Sequence, residues 1–241
     1  MKHLLSSTLL LSLCLAAPLW ADPGSAAEPQ VRTKAQRDAM TPQQVLDNFR
    51  SGNERFVRGE RKARDLMAEQ RATASGQHPS AVVLSCMDSR APAEFLFDKG
   101  IGETFNARIA GNVINPDLAG SLEFACAAAG AKLVVVLGHG DCGAIKGAID
   151  HVEMGNLTGV LDRIQPAVTS VGSSVAGEQT SKNPALVTAV TRANVVETVK
   201  ELRRLSPILK DLENQGKIKI VAALYDVETG KVDFIEVPTS P

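Results

Sequence analysis

Aromatic side chains are scarce in this chain of 241 residues, at 4% of the total with a single Trp and a single Tyr. Charge of one sign is also missing, since 26 basic residues face 27 acidic ones for a formal net charge of −1. A stacking platform for single-stranded nucleic acid needs rings along a basic groove, and a duplex binder needs a basic face. Neither is present, so no nucleic-acid partner is expected. Long low-complexity tracts are absent too, and with 44% hydrophobic residues the chain can bury a full core. Long apolar runs are limited to Leu4–Leu19, which at about 16 residues is short for a spanning helix. Preceded by Lys2 and His3 and followed by Ala21 and Asp22, it reads as a signal peptide over residues 1–21, cut after Ala21. The expected address is the periplasm, or full secretion, with no membrane contact after cleavage.

Cysteine is sparse as well. Of four, Cys14 lies in the leader, and Cys86, Cys126 and Cys142 remain. An odd number does not build a disulfide framework in an exported chain, and no C-x-x-C motif supports thiol-redox chemistry. Thiolates bound to a metal would be protected from oxidation. Cys126, inside an Ala-rich stretch, reads as a small core residue.

Residues 22–40, rich in Ala, Pro, Gln and charge, read as a flexible lead-in to one domain over 41–241. Thr41-Pro42 reads as an N-cap with Pro at the first helical position. It opens a helical arm with Val45, Leu46 and Phe49 at helical spacing and a break at Gly52; the charged stretch Arg55–Arg71 reads as a solvated helix face. Strands are expected at Ala81–Ser85, Thr104–Ile109, Leu133–Leu137, Ile218–Tyr225 and Val232–Val237, the last two joined by a tight turn. Helices are expected from Pro92, over Gly120–Gly130, Ala144–Val152, Pro184–Leu205 and Ile208–Gln215, with a Ser/Gly-rich connection around Ser170–Ser181. Near-continuous apolar strands alternating with helices predict an α/β fold: a single domain with a central, mainly parallel sheet flanked by helices.

Two segments place soft or titratable residues just past a buried strand, where ligands bind in open α/β sheets. They are Cys86-Met87-Asp88-Ser89-Arg90 and His139-Gly140-Asp141-Cys142-Gly143. If the two strands are neighbours, Cys86, His139 and Cys142 converge there. Two thiolates and an imidazole suit Zn²⁺, and three protein ligands leave the open fourth position of a catalytic site, where bound water is acidified toward pKa ~7. Gly140 and Gly143 are read as giving the His-x-x-Cys turn its freedom. Asp88 and Arg90, two apart, would share one side of an extended stretch. Arg90 could hold the Asp88 carboxylate ionised, leaving it to orient the metal's water or to swing onto the metal as a fourth ligand. Asp141 is expected to face away and support the loop. His78 and His151 keep structural or surface roles.

These residues resemble the paired C-x-D-S-R and H-x-x-C-G signatures of β-class carbonic anhydrases. The similarity extends to Gly52-Asn53-Glu54-Arg55-Phe56-Val57, to Arg108-Ile109-Ala110-Gly111-Asn112 and to Tyr225-Asp226 with Gly230, so it spans about residues 41–237. The resemblance implies one zinc per chain on Cys86, His139 and Cys142, and reversible hydration of CO₂ to bicarbonate and a proton. It also implies an Asp88–Arg90 dyad, substrate contact by Gln77, an active-site backbone position at Gly111, and a homodimer or dimer of dimers with the site at the dimer interface. Some members hold regulatory bicarbonate with a Trp three residues before the first Cys; that position is Val83, although Arg108 and Tyr225 resemble other members of that pocket. Two other functions fit the same ligands: hydrolysis of carbonyl sulfide or carbon disulfide, and a non-catalytic zinc site closed by Asp88.

Overall fold

Five short strands take up the β-branched and apolar runs. In the computed structural model, which describes residues 31–238, they are β1 (Ala81–Ser85), β2 (Thr104–Arg108), β3 (Leu133–His139), β4 (Lys219–Tyr225) and β5 (Val232–Ile235). The signal-peptide reading of residues 1–21 lies outside the described residues. The helices are α1 (Lys34–Ala39), α2 (Pro42–Arg58), α3 (Leu66–Thr73), α4 (Ala93–Leu96), α5 (Pro116–Glu123), α6 (Gly143–Ile149), α7 (Gly155–Leu161), α8 (Gln165–Val171), α9 (Pro184–Leu205) and α10 (Pro207–Asn214). The sheet order is β2-β1-β3-β4-β5. The first four strands run parallel and β5 returns antiparallel to β4, as the tight turn at 228–231 requires.

Every residue of β1 and β3 is buried, because helices cover both faces. On one face Val82, Leu84, Val134 and Val136 pack with Leu122 of α5, Val195, Val199 and Leu202 of α9, and Leu209 of α10. On the other, Val83, Val135 and Leu137 meet Val45, Leu46 and Phe49 of α2, with Leu96 and Phe97. A third apolar cluster, drawn from α6, α7, α8 and the start of α9, surrounds Cys86 and Cys142. Among the described residues, no helix is long and apolar enough to cross a membrane.

Several expectations are corrected. Part of the supposed flexible lead-in is α1, opened by a capping box on Thr33. Its buried Arg37 donates to the carbonyl of Ala129, and Lys132 Nζ donates to Asp38 O at 2.7 Å. Gly52 does not break α2; a Cβ there would sit 2.0 Å from the Phe97 carbonyl oxygen, so the glycine lets α2 press onto the α4 end. The Arg55–Arg71 stretch is not a solvated helix face. It leaves helix after Arg58, and Arg64 is buried between Glu69 and Glu103, at 3.0 Å from each, while Arg55 pairs with the fully buried Asp98 at 2.6 Å. Over Gly120–Gly130, α5 ends at Glu123 and one π-helical turn, Phe124–Ala128, follows and carries the buried Cys126. The two helices α7 and α8 stand where no element was expected.

Candidate metal centre

β1 and β3 are adjacent and parallel, with Ser85 opposite Leu137. The residue after β1 and the last residue of β3 therefore meet at the carboxyl edge of the sheet. Cys86 follows β1, His139 ends β3, and Cys142 occupies the N-cap position of α6. All three are buried, and their ligand atoms lie within 4.8 Å of one another. The turn between His139 and Cys142 gets its shape from Asp141, at φ +56. Gly140 and Gly143 are not in the left-handed region, so the freedom expected of them is not what bends the chain.

The donor set fits a zinc ion on three counts. The two sulfurs are 4.0 Å apart, close to the roughly 3.8 Å that tetrahedral Zn–S bonds of about 2.3 Å imply. His139 Nδ1 lies 2.8 Å from Gly140 O, which fixes the proton on Nδ1 and leaves Nε2 bare and available to a metal. That Nε2 is buried without a hydrogen-bond partner, a cost a protein does not carry without compensation. The thiol pair points the same way. With only protons available, the hydrogen bond from Cys142 pulls the Cys86 thiol down, while that same contact and burial push Cys142 up. A divalent cation stabilises both thiolates together.

Asp88 and Arg90 form the expected pair, on a turn rather than an extended stretch: Ala91 N donates to Asp88 O at 3.1 Å. Arg90 Nε and Nη2 donate to the two carboxylate oxygens at 3.0 and 2.9 Å, and its backbone N–H adds a third bond at 2.9 Å. The Arg90 side chain is the largest cause that lowers the Asp88 carboxyl to about 2. Asp88 Oδ2 stands 3.8 Å from His139 Nε2, at the rim of the ligand cluster. Arg90 also reaches Asp141 (3.7 Å between Nη1 and Oδ2), and Asp141 is further held by Lys146, the supporting role expected of it.

Two further residues brace the centre: Arg108, which entered above only through the resemblance, and Asn194, which the sequence did not single out. Arg108, at the end of β2, donates to Cys86 O at 3.0 Å and to Asp88 O at 2.5 Å. Asn194, buried in the middle of α9, donates to Gly111 O at 2.8 Å. Its signal in the sequence is a polar residue on an apolar helical stripe, which on its own says only that it finds a partner. Gly111 is brought to the centre, with its N–H 3.4 Å from Cys86 Sγ. Gln77 is not. It is exposed beside Gln70, Thr73 and Gly102, at the amino edge of the sheet, and the five residues of β1 put roughly 16 Å between that edge and Cys86. Val83 lies inside the sheet and is fully buried.

A family model described as carbonic anhydrase matches residues 81–232. Carbonic anhydrase 2 of Mycobacterium tuberculosis is 35% identical over 189 residues, covering 76% of this chain and 87% of that protein. The β-carbonic anhydrase CafA of Aspergillus fumigatus superposes with a TM-score of 0.63 at 26% identity, over 70% of this chain and 81% of that one. The chain belongs to the β-class carbonic anhydrases. The same fold recurs in the tetrameric β-carbonic anhydrases of Sordaria macrospora, with a TM-score of 0.62, 21% identity, and 69% and 85% of the two chains covered. As a β-carbonic anhydrase the chain is a zinc enzyme that hydrates CO₂ reversibly to bicarbonate and a proton.

Proposed function

We propose that Cys86, His139 and Cys142 are the three protein ligands of the zinc, that Asp88 orients the reacting water, and that Arg90 holds Asp88 for that task. The observation that carries this reading is the buried, unpartnered His139 Nε2 facing two cysteine sulfurs 4.0 Å apart. Zinc, when bound, supplies Lewis acidity that makes water a competent nucleophile near neutral pH. The chain's own residues do the rest. Asp88, ionised by its three bonds from Arg90, accepts a hydrogen bond and aims the attacking oxygen. Held on Arg90, Asp88 would act beside the metal and not as a fourth ligand, which favours the open site over one closed by Asp88. The Gly111 N–H serves the Cys86 sulfur, which gives this backbone position a role at the ligand. Stopped-flow CO₂ hydration with zinc determined on the same sample tests the assignment. Cys142→Ser is expected to lose both metal and activity, and full hydration activity in that variant would remove Cys142 from the ligand set.

The proposed assembly is a homodimer or dimer of dimers. Gln77 stands too far from its own chain's centre to touch substrate, so its substrate role requires a second copy to bring it across. Exposed Met87, Phe95 and Phe124 offer apolar surface for such a contact. The leader at residues 1–21 supports export to the periplasm.

A further inference from the structure

Gly111 brings little conformational constraint of its own to the metal centre. It sits at φ +67 and ψ 14, a conformation that costs glycine little and that other residues avoid. A Cβ there would fall 2.7 Å from Ile164 Cδ1 and 3.3 Å from Ala144 Cβ, so the position also has no room for a stiffer residue. Glycine's own dihedrals do not hold its N–H on a sulfur; something outside it does. The structure supplies that restraint from an element remote in sequence. Asn194 Nδ2, 83 positions along the chain, donates to Gly111 O at 2.8 Å in a fully buried contact. On the other side of the same α-carbon, the Gly111 N–H points at Cys86 Sγ at 3.4 Å. The following residue closes the turn, with Asn112 N donating to Ile109 O at 3.0 Å.

We propose that Asn194 is a positioning residue for the zinc centre, fixing the Gly111 backbone so that its N–H bonds the Cys86 thiolate. The inference rests on Cys86 being a zinc ligand. An N–H donated to a metal-bound sulfur withdraws charge from it. It thereby sets how strongly the thiolate binds the metal and how acidic the metal's water becomes, as outer hydrogen bonds to ligands do in general. Asn194 touches neither substrate nor metal and acts through the glycine alone. Its place on α9, among Val190, Val195 and Val199 in the core, makes that restraint rigid.

The test uses the mature enzyme, with zinc affinity measured by competition against a chromophoric chelator and the thiolate-to-metal absorption band recorded after cobalt(II) replaces zinc. Asn194→Leu keeps the size and removes the donor. It is expected to bind zinc about 10-fold or more weakly, to shift the cobalt–thiolate band, and to move the inflection of the pH–rate profile. Thr198→Val, one turn on along the same buried face, is the control and is expected to match the parent in all three. Asn194→Ser, whose hydroxyl is too short to reach Gly111 O, answers the question if the leucine variant does not fold. Zinc affinity within about twofold of the parent together with an unshifted cobalt band would overturn the inference. A parent enzyme that holds no zinc would instead overturn the ligand assignment beneath it.

Discussion

Arg90 carries more of the site than its exposure suggests. It puts three hydrogen bonds on Asp88 and reaches across to Asp141 on the second loop, so one planar guanidinium ties the two signature segments together. Arg90→Leu is expected to keep zinc at one per chain and to lower the hydration rate about 100-fold, the scale of a misplaced reacting group. Arg90→Lys should recover little of it, since an ammonium cannot reproduce the bidentate fork. Unchanged turnover in Arg90→Leu would show that Asp88 needs no holder. A second residue makes a prediction about pH. Lys99 is buried, rests against Phe49 and Asn48 O, and has no carboxylate within ion-pair distance among the described residues. Burial pushes its ammonium down to about 8. The unfolded chain therefore binds this proton more tightly than the folded one. That penalty is complete below pH 8 and fades as pH climbs toward the ordinary lysine value. Lys99→Met should stabilise the protein at pH 7 by up to about 3 kcal/mol and show little advantage at pH 10. Equal gains at both pH values in urea unfolding would rule this account out.

Among the elements, α2 shows where packing overrides propensity. Alanine in place of Gly52 would favour an isolated helix by about 1 kcal/mol. Here the added methyl meets the Phe97 carbonyl, so Gly52→Ala is expected to destabilise by about 1–3 kcal/mol; a urea midpoint that rises would mean α2 is free to move. The sequence made α9 and the strands legible because their apolar residues repeat at helical spacing or run unbroken. It made the Cys86, His139 and Cys142 cluster legible because soft residues follow two buried strands. What it hid depended on contacts distant along the chain. Gly52 looks like a helix breaker until Phe97 is seen against it. The charges around Arg64 look solvated until Glu103, from beyond β1, closes over them. The turn at Asp88 replaced an extended stretch because Arg90 folds back on that carboxylate, and Asp141 rather than either glycine bends the second loop. Asn194 and Arg108 act through backbone atoms, which leave no side-chain signature at the receiving end. Gln77 lies at the amino edge of the sheet, and the second copy that its substrate role calls for leaves no trace in the sequence of one chain.

For the molecule as a whole, removing zinc should cost stability as well as activity. The three proposed ligands come from two βα units and lie buried beside the cluster that draws on α6, α7, α8 and the start of α9, so a metal held there binds the folded chain and not the unfolded one. Chelation is expected to lower the thermal midpoint, with recovery when zinc is returned; an unchanged midpoint on chelation would separate the centre from the fold. Cys86 and Cys142 stand 56 positions apart. Joined through a common zinc, as proposed above, they would act as a covalent staple does, shrinking the freedom of the unfolded chain by about 4 kcal/mol on the loop-entropy scale used for disulfides. Unlike a disulfide, this cross-link cannot be opened by a reductant. It answers to the supply of free zinc, so the durability of the molecule is set by metal abundance rather than by redox poise.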